Sequence, residues 1–460
     1  MEGRKMNTKF VFLLQFLLFL SLVLCESDDQ AAPMEKTEQQ ALYLMIQGFV
    51  GRSWNGSGLY PDPCGWTPIQ GVSCDFLNGS WYVTSVSIGP ILENSLQCSH
   101  NAIFTPHLFE LKHLKTLSFF NCFSSPTMLP SNSWNNLSQT LETLEFRSNE
   151  GLIGEIPPVI GQLMNLQSLV LVDNSISGKI PQELGNLVHL KRLSLSGNRL
   201  SGPVPTSLGK NLANLLILDL SRNSLSGPLY QSLGGLTSLL KLDISNNLLN
   251  GSLPKELGDM KSLTLLDLRN NNLSGGLIQS LEQMISLEDM LLSNNPIGAS
   301  LNEFGWEKLV NLNNLDLSNT SLNGEVPNSI EGLGRLRFIA LDNNKLSGSI
   351  SPRLGDLPRL NALYLNGNNL SGEIWFSEEF YERLGSRFAS WGNPGLCYKG
   401  GVGPAGVRIC KDNEQAKYFD SKNNVIRDDI EQSSSQAEIL ASCACGALVQ
   451  LMVVISVTLL

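Results

Sequence analysis

Residues Gly401 to Gly406 read G-x-G-x-x-G, the spacing with which a strand-to-helix turn can cradle a pyrophosphate. No strand pattern precedes this run and no helix pattern follows it. It also lies between Cys397 and Cys410, so we expect a glycine-rich loop and no nucleotide site. The four histidines, His100, His107, His113 and His189, never stand four apart and never flank a cysteine pair of zinc spacing. No metal set and no cofactor is therefore expected. Asp219, Asp243, Asp267 and Asp316 recur because Leu-Asp-Leu-Ser, or a close variant, is itself repeated. They should form a carboxylate column that is either an acidic binding stripe or, as we expect, a solvated consequence of the repeat. No kinase signature occurs, and the segment after Cys410 is expected to hold no folded domain. The sequence points to binding and away from enzymatic activity.

Composition supports that direction. The chain has 460 residues and a formal net charge of −10, with no long run of Lys or Arg, which argues against nucleic acid or an anionic lipid surface as partner. At the start, Arg4, Lys5 and Lys9 precede an apolar run from Phe10 to Leu24, the layout of a secretory signal with cleavage expected after Cys25. At the other end no charge occurs from Ile439 to Leu460. Ser433 to Ser435, the spacer Gln436 to Cys445 and the tail Gly446 to Leu460 fit a GPI-attachment signal with Ser433 as the attachment residue. A single membrane span with Cys443 and Cys445 acylated beside it is the other reading this tail admits. Both place the protein on the outer face of the plasma membrane. Asn55, Asn78, Asn136, Asn250, Asn272, Asn319 and Asn369 open N-x-Ser/Thr sequons and are the expected glycosylation sites. Of the nine cysteines, six lie outside the two terminal segments: Cys64, Cys74, Cys98, Cys122, Cys397 and Cys410, an even number suited to an oxidising compartment.

The elements that must position any binding residue are set by an internal repeat. Leucines at 114, 141, 166, 190, 215, 239, 263, 287, 312, 336 and 360 each open a segment of the form L-x-x-L-x-L-x-x-N-x-L-x-G, at steps of 24 to 27 residues. That period is in the leucine-rich-repeat range. The alternating pairs, such as Leu218 and Leu220, predict short strands with one face inward, stacking into one parallel sheet. The Asn that follows, at 149, 174, 198, 223, 247, 271, 295, 344 and 368, should be buried, with its amide bonded to backbone of adjacent repeats. Cys122 and Thr320 fill the same slot.

Five repeats continue as Gly154-Glu-Ile-Pro157, Gly178-Lys-Ile-Pro181, Gly202-Pro-Val-Pro205, Gly251-Ser-Leu-Pro254 and Gly324-Glu-Val-Pro327. This continuation resembles the plant extracellular class of leucine-rich repeat, shared by receptor kinases, receptor-like proteins and polygalacturonase inhibitors. The resemblance covers about residues 83 to 376. It implies an α/β solenoid with a second short sheet, twisted into a right-handed superhelix and closed by disulfide-bonded caps. Asp62-Pro-Cys64-Gly-Trp66 and Gly71-Val72-Ser73-Cys74 resemble the N-terminal cap of that class, with Thr67 to Gln70 lengthening the gap as in the Piriformospora indica-insensitive protein 2 type of receptor-like protein. Gly392-Asn-Pro-Gly-Leu-Cys397 resembles its closing cap. The resemblance implies the pairs Cys64–Cys74 and Cys397–Cys410; Cys98 then remains for Cys122, unless Cys122 stays a free thiol in the ladder. Thr37 to Gln40 read as a capping box opening a helix whose apolar stripe is Leu42, Met45, Ile46, Phe49 and Val50. The expected organisation is a signal at 1–25, an N-terminal cap at 26–113, about eleven repeats at 114–376, a C-terminal cap at 377–410, a polar linker at 411–438 and the apolar tail at 439–460.

Eleven strands about 4.8 Å apart would present a face of roughly 50 Å, long enough for an extended peptide or a protein edge. On it, the residues that break the Ser, Asn and Asp pattern are the candidate ligand contacts: Phe120, Glu145, Arg147, Val170, Val172, Arg192, Lys241, Arg269, Leu291, Phe338 and Tyr364. Val170 and Val172 should adjoin Glu145 and Arg147 as one mixed patch. Glycans on Asn272 and Asn369 would lie off this face, whereas Asn319 falls at its margin. The resemblance implies a recognition protein for a peptide, protein or microbial ligand, signalling through a transmembrane leucine-rich-repeat receptor kinase, with a role in the response to root-colonising microbes among the expectations. The alternative is an apoplastic inhibitor of cell-wall-degrading enzymes.

Overall fold

A computed structural model describes residues 34–90, 95–399 and 403–410. The expected signal at 1–25, linker at 411–438, Ser433 and the apolar tail lie outside the described residues.

The described chain winds as a solenoid around a 14-stranded sheet that begins with the antiparallel pair Val72–Leu77 and Ser80–Ile88 and continues in parallel from Thr116–Phe120 to Phe388–Ala389. Each repeat contributes one strand in strict register, as in Leu218↔Leu242 and Leu242↔Leu266. The first two consensus leucines of each repeat, replaced at the second position by Met290 and Ile339 in two of them, point inward and are buried, and stacking joins them into one continuous core. A single repeat could not bury such a face; neighbours on both sides are what make it stable. Opposite the sheet the chain runs through short 3-10 turns such as Gln182–Asn186 and Lys255–Asp259, so the outer layer is mostly 3-10 rather than α-helical.

The buried Asn ladder follows the expected pattern. Nδ2 of Asn247 donates to the carbonyls of Leu220, Ile244 and Ser245 at 3.0, 3.2 and 3.1 Å, and its Oδ1 accepts from Leu225 N at 2.9 Å. Asn271, Asn295, Asn344 and Asn368 repeat this geometry, and Asn393 in the closing cap extends it by one step. Thr320 fills its slot by donating to Leu317 O at 2.6 Å. Cys122 is disulfide-bonded to Cys98, which removes the free-thiol reading; Cys64–Cys74 and Cys397–Cys410 are the other two bridges.

A second set of strands flanks the first, seven in one sheet and five in another. The break falls where Pro296 takes the place held by Asn272 in the preceding repeat, and a proline has no N–H to donate to a ladder. Asn250, Asn272 and Asn369 lie in these flanking strands and are exposed, off the main sheet as expected.

The N-terminal helix, Lys36–Val50, buries Leu42, Met45, Ile46 and Phe49 completely against the first strands. Its start departs from the capping box. Glu35 occupies the N-cap without a side-chain bond into the helix, and Thr37, already inside it, donates to Glu35 Oε1 at 2.7 Å. Phe49 then joins Phe119, Phe123 and Phe146 in an aromatic stack, with Phe119 and Phe146 parallel at 5.1 Å. The described part of the G-x-G-x-x-G run, Gly403 to Gly406, lies between the paired strands Gly395–Tyr398 and Arg408–Ile409, and no helix follows it among the described residues.

Candidate ligand-binding face

Each strand of the main sheet turns its non-leucine positions away from the core, and the register stacks these into columns. The central column reads Glu145, Val170, Ser194, Asp219, Asp243, Asp267, Leu291, Asp316, Ala340 and Tyr364. Arg147 pairs in register with Val172 on one side of it, and Arg192 with Ser168 on the other. All eleven candidate contacts are on or beside this face, but two of them are not available to a ligand. Val170 is 1% exposed and Leu291 is 4% exposed. Both stand outward by register, Val170 between Glu145 and Ser194 and Leu291 between Asp267 and Asp316, yet both are closed off from solvent.

The face has three sections of different chemistry. Toward the N-terminus, Glu145 and Arg147 form an ion pair on one strand. Arg192, two strands on, makes no hydrogen bond and no ion pair among the described residues, and its Nε is buried without a partner. Burial pulls its pKa down, and the charge of Arg147 adds to the effect.

In the middle, the aspartate column is not the solvated stripe expected. Asp267 is 1% exposed and is held by a fork from Arg269, with Nη2 to Oδ2 at 2.6 Å and Nε to Oδ1 at 2.9 Å. Burial, followed by the charges of Asp267 and Asp219, pushes Asp243 up to about 7. Burial likewise raises Asp289, and raises Asp342 to about 6 with help from Asp316. Register places the carboxylates one strand apart, and the side chains around them remove the water that would otherwise screen their repulsion. The serines after the column absorb part of it: Ser221 Oγ donates to Asp219 at 2.7 Å and Ser318 Oγ to Asp316 at 2.7 Å.

Toward the C-terminus the face is aromatic. Phe338 and Tyr364 meet with ring centroids 5.8 Å apart, and Trp391, 52% exposed, stands at the next strand.

Two features went unread in the sequence. Asn246, Asn270, Asn294 and Asn319 share a left-handed backbone conformation at the edge of the face and link side chain to side chain at 2.8 to 3.0 Å. The Asn-Asn doublets that precede the buried ladder were the available signal, since Asn tolerates positive φ better than other L-residues with a Cβ. The sequon Asn319 is exposed and ends this row. Beside the N-terminal section, Arg222 reaches across a whole repeat to Asp173 at 2.8 Å. Gly197 sits beneath the bridge, where a Cβ would come within 2.2 Å of Asp173 Oδ1. With Phe120, Asn121, Ser148 and Glu150 this pair lines a shallow recess.

Among the described residues no group of three or more His, Cys, Asp or Glu side chains could hold a metal ion, and no helix is long and apolar enough to cross a membrane.

Comparison with known proteins agrees with this architecture. The Leucine Rich Repeat family model matches residues 165–187, 189–211, 214–236, 238–260, 262–284 and 311–333. Over 152 residues the chain is 61% identical to Piriformospora indica-insensitive protein 2 of Arabidopsis thaliana, covering 33% of this chain and 36% of that protein. The solved PEPR1–AtPEP1 structure superimposes with a TM-score of 0.63 at 26% identity, over 82% of this chain and 55% of that one. The HAESA ectodomain of Arabidopsis, in complex with an IDA peptide hormone, does so with a TM-score of 0.56 at 31% identity, over 66% and 49%. The match thus spans about a third of the length of that curated relative and about half of each of the two solved chains. The repeat, the paired-cysteine caps and these similarities show a chain built of leucine-rich repeats in the plant extracellular pattern, similar to receptor-like proteins and receptor ectodomains.

Proposed function

We propose that this chain is a receptor-like recognition protein of the cell surface that takes a peptide, protein or microbial ligand on the open face of its main sheet and signals through a partner transmembrane receptor kinase, with no catalysis of its own. The observation that carries this reading is the face itself. It combines partly buried charges, an Arg without a hydrogen-bond partner among the described residues and a terminal aromatic cluster on a repeat scaffold, a composition suited to a binding surface. One of the structural relatives is a receptor-kinase ectodomain solved with a peptide hormone ligand, which supports the ligand class. A position on the outer leaflet, with attachment at Ser433, and glycans on the exposed sequons belong to the same proposal. So does a role in the response to root-colonising microbes, supported by the likeness to Piriformospora indica-insensitive protein 2.

The test is to express the full chain in plant cells and treat isolated membranes with phosphatidylinositol-specific phospholipase C, then crosslink intact cells and identify the partners. Release by the lipase together with a crosslinked receptor kinase supports the proposal. A chain found soluble without lipase, which also lowers endopolygalacturonase activity when purified, replaces it with the inhibitor reading.

A further inference from the structure

The N-terminal section of the face holds a cation, Arg192, that makes no ion pair among the described residues, although Glu145 and Asp219 lie near it. Arg192 lies on the strand Arg192–Ser194, beside Ser168–Val172 and Ile217–Asp219. The charged groups that face it are Arg147 and Glu145 from one direction and Asp219 from the other. Neither carboxylate is free to serve it. Glu145 is paired with Arg147 on its own strand. Asp219 accepts from Ser194 Oγ at 3.1 Å, Ser221 N at 3.1 Å and Ser221 Oγ at 2.7 Å. Arg192 therefore keeps five N–H donors in a fixed fork with no acceptor among the described residues, and one of them is already shielded from water. A shielded donor without an acceptor costs free energy in the unliganded protein, and a second cation, Arg147, adds repulsion. An oxyanion bound at the guanidinium would supply acceptors to its open donors and offset the repulsion between the two cations.

We infer that Arg192, assisted by Arg147, is an oxyanion site that anchors an acidic group of the ligand at the N-terminal section of the face. The planar fork matches a carboxylate or a sulfate equally in hydrogen-bond count, so the shared chemistry is a charged group with two or more parallel acceptor oxygens. Val170, on the strand between those that carry Arg147 and Arg192, is 1% exposed, so the floor between the two arginine-bearing strands is closed to water. The neighbouring section is anionic, with Asp219, Asp243 and Asp267 stacked in register. A ligand lying along the face is thereby oriented, its acidic group over Arg192 and its neutral or basic portion over the aspartates. This deepens the proposed receptor function and rests on it only for the identity of the ligand.

The experiment measures the thermal unfolding of the full-length detergent-purified chain with sodium sulfate or sodium N-acetylglycinate, a mimic of a peptide C-terminus, each against sodium chloride at matched ionic strength. Wild type is expected to gain roughly 2 °C over chloride once the anion stands at about ten times its dissociation constant. Arg192→Gln is expected to lose that gain while melting no lower than wild type in chloride, because it removes an unsatisfied cation. Arg192→Lys, which keeps the stem and the charge but not the fork, serves as a second folded variant and should lose most of the gain. A gain with N-acetylglycinate assigns a carboxylate; a gain with sulfate alone assigns a sulfo or phospho group. No gain in wild type with either anion, or an equal gain in both variants, overturns the site. The measurement involves no membrane and no kinase, so its failure leaves the receptor reading standing, and failure of the receptor reading leaves this result standing.

Discussion

Glu38 offers a direct test of how the N-terminal cap is held. It is 5% exposed, lies on the buried side of the helix Lys36–Val50, and accepts from Val83 N at 3.1 Å on the strand that begins the parallel sheet. Burial raises its pKa from 4.5 to about 7; the bond from Val83 opposes the shift and the nearby charge of Glu35 adds to it. A shift of this size corresponds to ~3 kcal/mol of differential stability between the protonated and ionised forms. Because the folded-state value is above the unfolded one, the contribution is fully present below pH 4.5 and is lost as pH rises through about 7. Glu38→Gln reproduces the protonated form in shape and still accepts from Val83, so it should match wild type near pH 4.5 and exceed it by up to ~3 kcal/mol at pH 8. In a chain of this size about 1–2 °C accompanies each kcal/mol, which makes the expected separation at pH 8 roughly 3–6 °C. Thermal melts of both proteins at half-unit steps from pH 4.5 to 8 supply the comparison, and subtracting the curves cancels the pH dependence of every other group. Parallel curves across the range would falsify the assignment, since they would mean that Glu38 folds with an ordinary pKa.

The concave carboxylates predict a second pH effect of the same sign: Asp243 and Asp342, raised to about 7 and about 6, should make wild type less stable as pH climbs from 5 to 8, and Asp243→Asn should flatten that slope. Arg269→Ala leaves the buried carboxylate of Asp267 without its fork and should cost ~3–5 kcal/mol in urea unfolding, whereas the double change Asp267→Ala with Arg269→Ala should recover most of the loss. Asn247→Ala strips partners from one buried N–H and three buried carbonyls and should cost at least ~2 kcal/mol; a loss no larger than that of the edge variant Asn246→Ala would refute the ladder as a source of stability. Removing the bridge between Cys98 and Cys122, with 24 residues of separation, should destabilise the N-terminal region by ~3 kcal/mol, read as earlier proteolytic cleavage there on a temperature ramp; unchanged cleavage would count against a structural role.

What a repeat makes legible in sequence is direction. Leu218 and Leu242 had to point inward and Asp219 and Asp243 outward, because strands alternate and the period stacks like on like. The ladder Asn and the cap cysteines were legible for a related reason: a buried amide or an oxidised thiol pair has few chemically permitted partners, and the turn leaves few places for them. Exposure was not legible, because it depends on the length of side chains on the flanking strands, about 24 residues away in either direction. Val170 and Leu291 are outward by register yet closed by their neighbours, and the same covering turned a column expected to be solvated into carboxylates that hold their protons toward neutral pH. Glu38 escaped notice for a comparable reason. The capping-box pattern placed the N-cap at Thr37, whereas the structure places it two residues earlier, at Glu35, and Glu38 lies one turn before Leu42 on the buried side. Pro296 shows the limit from another side, since a single missing N–H splits the flanking sheet while leaving the main sheet in register across the same repeat. Stability and recognition are thus written at different positions of one repeat. The inward positions are nearly invariant from turn to turn, and the outward ones derive their chemistry from combinations across three strands, of which the orphan guanidinium of Arg192 between Arg147 and Asp219 is the sharpest instance.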